Sequence, residues 1–146
     1  MKIQELFREI IKIGIENDPR GKDFVENSLK EIKDSYSKLS DKEKKYFDTE
    51  KLENPYLDSR IYNTDESLAV KSILVGIDIE TPELLLFDNL RTKGKNLDLA
   101  MTHHPEGRGL SNLDDVMHLQ TDLLHSFGIP INIAEHLMSA RISDVE

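Results

Sequence analysis

The chain of 146 residues contains no cysteine. Disulfides and thiolate metal sites are therefore both excluded, and an intracellular setting is the default expectation. No apolar run reaches the roughly 18 residues that a membrane-spanning helix needs. Met1-Lys2-Ile3-Gln4-Glu5 opens an amphipathic segment, not a signal peptide. Basic residues are the minority: 19 Lys and Arg stand against 28 Asp and Glu, a formal net charge of −9. Without a basic stripe to offset phosphate repulsion, a general polyanion binder is excluded. Internal repeats and low-complexity tracts are absent too. These absences together describe a soluble, cytoplasmic protein with neither nucleic acid nor membrane as partner. Its length suffices for one domain with a real core.

What is present begins with helices. Residues 3–16 carry Ile3, Leu6, Phe7, Ile10 and Ile13 as the stripe of an amphipathic helix, stopped by the turn formers Asn17-Asp18-Pro19-Arg20-Gly21. A second helix is expected over residues 22–39, with Phe24, Val25, Leu29, Ile32, Tyr36 and Leu39 on one side. Ser40 followed by Glu43 is a capping-box signature for a short third helix over 41–47. Residues 1–67 read as a helical amino-terminal extension packed on the rest, not as an independent domain. Within it, residues 54–62 have no clean period, and Asn63-Thr64-Asp65 is turn chemistry. A connection of this length in a compact domain is usually functional or mobile. Asp58 and Arg60 either close over a site or form a structural salt bridge.

The chemistry concentrates further on. Residues 70–79 read as a strand ending near Asp78 and Glu80, after which Thr81-Pro82-Glu83 opens a helix, with Thr81 as N-cap. Leu97-Asp98-Leu99-Ala100-Met101-Thr102 then reads as a second buried strand. It delivers His103 and His104 to its carboxyl end, where Pro105 forces the chain out of the sheet. A βαβ unit of this kind puts Asp78, His103 and His104 on the same edge of the sheet, the edge at which open α/β sheets bind ligands. Consecutive strand side chains point to opposite faces. Adjacent histidines therefore seldom chelate one ion, but serve two neighbouring ions, or one ion and a substrate, if the strand end twists. The plainer reading is a pair of polar residues finishing a strand.

Beyond the histidines, Glu106-Gly107-Arg108-Gly109-Leu110 is a flexible loop that lacks the order of a phosphate-binding fingerprint. Residues 112–127 form the next expected helix, with Phe127 on its core side. Its His118 and His125 have no carboxylate at chelating spacing between them and read as solvent or interface residues. Gly128 stops the helix. Residues 129–134 (Ile-Pro-Ile-Asn-Ile-Ala) read as a third strand that would bring Glu135 and His136 to the same sheet edge. The fold class expected is α/β: a mainly parallel sheet flanked by helices, a βαβαβ core over residues 68–146, with the helical extension added. That progression ends without a closing element, as half of a larger design would.

The segment 72–135, with Leu74-Val75-Gly76-Ile77-Asp78, then Thr102-His103-His104-Pro105, then Gly128-Ile129-Pro130-Ile131-Asn132, resembles the amino-terminal half of the NIF-three-like proteins, the GTP cyclohydrolase I type 2 homologues. The resemblance covers under half of the chain. It implies an α/β fold with a two-metal site, His103 and His104 each serving one metal, ring-shaped oligomers built from dimers, and metal-dependent hydrolysis. The family's aspartate follows a histidine by four residues, but four beyond His136 stands Ala140, so Glu135 is the nearest replacement. The family's downstream His-x-x-x-Glu pair has no counterpart, because no histidine follows His136.

Imidazole and carboxylate donors suit zinc, iron or manganese. Two such ions could clamp the attacking and leaving oxygens of a hydrolysis, with Asp78 orienting a histidine from behind and Arg60 or Arg108 neutralising a phosphate. The expected function is a divalent-metal-binding protein that forms a homo-oligomer and hydrolyses a nucleotide-like or cyclic-amide small molecule when complete. The alternative is a non-catalytic metal-binding scaffold.

Overall fold

The computed structural model describes residues 1–62, 65 and 67–144. The turn expected at Asn63 and Thr64 lies outside the described residues. Helix α1 spans Ile3–Glu16, α2 Lys22–Ser37 and α3 Asp41–Lys44, followed by a 3-10 turn over Thr49–Leu52. Strand β1 is Ile73–Gly76, helix α4 Thr81–Thr92, and strand β2 Leu99–Thr102. A second 3-10 turn at Leu110–Asn112 leads into α5, Leu113–Ser126, and α6, Ile131–Ser143. No described helix is long and apolar enough to cross a membrane.

Of the stripe expected on α1, Ile3 is buried, but so is Ile11 outside it, while Ile10 and Ile13 are exposed; on α2, Val25 and Leu29 are buried and Phe24 is exposed. Leu57 of the following loop is buried as well. The capping box forms: the Ser40 amide donates to Glu43 Oε2 at 2.8 Å, and the Glu43 amide to Ser40 Oγ at 3.4 Å. The amino terminus is tied to the chain ahead of β1, with the Ile3 amide donating to the Leu68 carbonyl and the Val70 amide to that of Met1.

β1 and β2 form a two-stranded parallel sheet, with Ile73 opposite Leu99 and Gly76 opposite Thr102. Both are shorter than the apolar runs that mark them. Asp98 explains where pairing starts. Its carboxylate accepts from the amides of Lys71 at 2.8 Å and Ser72 at 3.0 Å, which holds its pKa below the ordinary value. α4 starts one residue earlier than expected, with Glu80 as N-cap and its amide donating to Glu83 Oε2. It buries no side chain, and Leu84, Leu85 and Leu86 stand exposed.

The expected third strand over residues 129–134 is not a strand. Pro130 caps α6 with extended backbone (φ −54°, ψ 136°), and its carbonyl accepts from the Ile133 and Ala134 amides. Proline is poorly tolerated inside a sheet and well placed at a helix start, where the missing donor costs nothing. The residues that α6 buries are Ala134, Met138 and Ile142, a four-residue spacing that only a helix puts on one face. α5 and α6 pack against each other through a turn at Gly128, whose φ of +91° favours glycine. The helix stops short of Phe127, which is 82% exposed, not on the core side.

Candidate functional site

β1 and β2 end side by side, and the chain bends immediately after each. Ile77 is the hinge on one side: its carbonyl accepts from the His104 amide at 2.8 Å and from the His103 amide at 3.1 Å. The Thr102 hydroxyl lies 2.9 Å from both the Ile77 and the His104 carbonyl oxygens. Gly76 leaves room for this bend, because a Cβ there would sit 2.5 Å from the Asp78 carbonyl oxygen.

The bend settles the alternation problem. His103 and His104 lie beyond β2, so their rings do not diverge to opposite faces; the centroids are 5.2 Å apart and the planes tilted by 36°. Asp78 reaches across from β1, its Oδ1 2.8 Å from His104 Nδ1. A carboxylate at that nitrogen accepts its N–H, an arrangement that orients the ring. Both side chains are more than half exposed, so the pair is worth little to stability and its geometry matters more than its energy.

The loop behind the histidines is braced by the amino-terminal half. The Tyr62 hydroxyl donates to the Glu106 carbonyl at 2.9 Å and accepts from the Gly109 amide at 2.5 Å. Gly109 itself packs against the Asp58 carbonyl, where a Cβ would collide. Residues 58–62 therefore hold the histidine loop, and sequence reading gave no sign of it because the partners lie more than 40 positions apart with no periodicity linking them.

Arg60 does not pair with Asp58. Its Nε donates to the Leu57 carbonyl at 2.9 Å, one terminal nitrogen to Asp48 at 2.8 Å, and the other to Glu50. Its side chain is 1% exposed. The expectation that Arg60 would neutralise a substrate phosphate is therefore corrected: its guanidinium is buried and its charge is already met by Asp48 and Glu50. Arg108 also reaches Asp48, at 3.5 Å, from an exposed position.

A cleft of about 260 Å³ runs from the histidines between α1 and β2, with residues 58–62 on its flank. Glu135 does not line it and lies exposed on α6. Among the described residues no group of three or more His, Asp or Glu gathers closely enough to hold a metal ion, so Glu135 does not join His103 and His104 in one cluster. His118 is exposed, and His125 Nδ1 sits 3.0 Å from the Ile129 carbonyl at the end of α5.

A second polar centre escaped sequence reading entirely. Asp18 accepts from Arg20 Nε at 3.0 Å, from a terminal Arg20 nitrogen at 2.9 Å and from the Tyr56 hydroxyl at 2.9 Å. Arg20 reaches on to Asp122 of α5 at 3.5 Å. Burial pushes the Asp18 carboxyl up, but the hydrogen bonds from Arg20 and Tyr56 outweigh it and hold the pKa below 3.8. Burial and the bond to Asp18 push the Tyr56 phenol up. This centre ties the end of α1 to the loop and to α5. Its groups satisfy one another, which is the signature of a structural network.

Comparison with family models, with curated proteins and with solved structures found no match for this chain.

Proposed function

We propose that the chain binds a divalent transition metal (zinc, iron or manganese) through His103 and His104 at the joint end of β1 and β2, in the manner of the NIF-three-like proteins it resembles. We further propose that it serves in the cytoplasm as part of a homo-oligomeric, metal-dependent hydrolase of a nucleotide-like or cyclic-amide molecule. The observation that carries this reading is the 2.8 Å contact between Asp78 Oδ1 and His104 Nδ1. Metal-ligating histidines almost always donate their other ring nitrogen to such a partner. The donor set fits the metal only in part, since two imidazoles leave positions to be filled by water or by a carboxylate of a second subunit.

A metal held there would supply Lewis acidity toward a carbonyl or phosphoryl oxygen. The chain's own contribution is to hold the donors. Asp78 fixes the tautomer and ring plane of His104, and the Ile77 carbonyl anchors both histidine amides. Tyr62 braces the loop behind them, and a cleft opens beside them.

The absence of a three-residue donor group among the described residues favours a second reading, a metal-binding scaffold without turnover. One experiment addresses the reading common to both. Elemental analysis of protein purified without chelators should find zinc, iron or manganese, and the double variant His103→Ala/His104→Ala should lose it. Equal metal content in the two samples would leave the histidines as strand-end residues.

A further inference from the structure

We propose that the cleft between α1 and β2 takes a small, uncharged, single-ring molecule and rejects its phosphorylated counterpart. This rests on the reading above only in assigning the histidine end of the cleft as the reacting end. It selects the cyclic amide over the nucleotide.

Size comes first. Small-molecule sites usually measure roughly 300–1,000 Å³, and this cleft, at about 260 Å³, stands at the small end of that range, a size that suits one ring and its substituents. The walls come second. Leu6, Phe7 and Ile10 from α1 face Met101 of β2, a thioether and an aromatic ring among aliphatic side chains. Such walls suit a flat, weakly polar body.

Charge decides the rest. Among the described residues lining the cleft, the charged side chains are Asp58, Arg60 and Glu106. Arg60 is the sole lysine or arginine of this lining, and its guanidinium is committed to Leu57, Asp48 and Glu50. A phosphate entering here would meet two carboxylates and a buried cation already paired with Asp48 and Glu50, and such like-charge juxtaposition is how a site rejects a wrong ligand. A neutral ring loses nothing to those carboxylates and offers its carbonyl or N–H to the histidine end.

The test is an amide-resolved NMR titration of chelator-treated protein near neutral pH, with uracil and uridine 5′-monophosphate as probes. Uracil should shift the amides of Leu6, Phe7, Met101 and Thr102, with the nucleotide at least about tenfold weaker, a difference of about 1.4 kcal/mol. Ile10→Trp fills the cleft from a position that is 40% exposed and so tolerates change; it should abolish the uracil shifts. Asp58→Asn/Glu106→Gln should narrow the gap between the probes. Nucleotide binding as tight as uracil, or no uracil shifts at these amides, overturns the proposal. Uracil binding retained in a His103→Ala/His104→Ala variant, beside unchanged metal content, would sink the metal reading and leave this one standing.

Discussion

Asp78 and His104 stand 26 positions apart in the chain, yet their side chains meet at 2.8 Å because two parallel strands end together. The contact needs no packing to support it. Its components are set by the register, Gly76 opposite Thr102, and by the bend at Ile77 that follows.

Asp78→Ala should therefore leave the fold unchanged while weakening metal binding by roughly 10–100-fold, the usual effect of removing an orienting carboxylate. Chelator competition with zinc and manganese measures the affinity, and circular dichroism checks the fold. Unchanged affinity would mean that the pair orients nothing.

The charge state of Asp18 gives a pH prediction. Its folded pKa lies below the unfolded value of 3.8, so the folded state binds the proton less readily. The stability that Asp18 contributes is fully present above that unfolded value and is lost as pH falls through the depressed folded pKa. Urea midpoints of the native chain should fall more steeply below pH 3.8 than those of Asp18→Asn. Parallel slopes for the two proteins would contradict the Arg20 and Tyr56 bonds to this carboxylate.

At Gly14, α1 leaves space for an aromatic ring. A Cβ there would lie 2.8 Å from Tyr56 Cε2. Alanine is better than glycine in a helix by about 1 kcal/mol, so propensity alone makes Gly14→Ala stabilising. The clash opposes it, at about 1–3 kcal/mol for overpacking, and also disturbs the bond from Tyr56 to Asp18. The net expectation is a loss of about 1 kcal/mol, reversed in sign when the same change is made in a Tyr56→Ala background. Thermal or urea unfolding of the four proteins reads the cycle.

Arg60→Met removes a cation that is 1% exposed and leaves Asp48 and Glu50 facing each other without it. Breaking a fully buried pair costs about 3–5 kcal/mol. Both carboxylates keep some solvent, so the expected loss is about 2 kcal/mol. Arg60→Lys should recover part of it at most, since one ammonium cannot serve three acceptors in a planar fork. Full stability in Arg60→Met would show that the ion pairs contribute nothing.

How far the sequence carried these features depended on the range of the interaction. The extent of α1 and the Ser40–Glu43 box are written within a few residues and form as read, although the buried face of α1 includes Ile11 and leaves Ile10 and Ile13 exposed. β1 and β2 were legible as apolar runs, but their ends were not, because Asp98 sets the start of pairing from the other strand. The meeting of Asp78 with the histidines followed from both strands ending at one edge. The partners of Arg60, and the reach of Tyr62 and Tyr56 to the histidine loop and to Asp18, escaped because those contacts link irregular segments that share no periodicity.

The misread third strand leads to the last prediction. Ile129-Pro130-Ile131-Asn132-Ile133-Ala134 alternates over a short window, and the window ended before the longer pattern could count against it. Read on to Ile142, the same stretch places Ala134, Met138 and Ile142 four apart, and these are the side chains buried, at 0%, 5% and 7% exposure. Ile131 and Ile133, the inward residues of a strand, are instead exposed. The two patterns assign the cost of mutation to different residues. Met138→Ala should cost about 2–5 kcal/mol through the cavity it leaves between α5 and α6, and Ala134→Leu about 1–3 kcal/mol through overpacking. Ile133→Ser should stay within about 0.5 kcal/mol, as surface changes do. Urea unfolding of these three variants decides the matter. A large loss for Ile133→Ser with little for Met138→Ala would restore the strand and bring Glu135 back toward the histidine edge; the opposite order keeps Glu135 on an exposed helix face, where it meets a metal only if that face turns toward a second subunit.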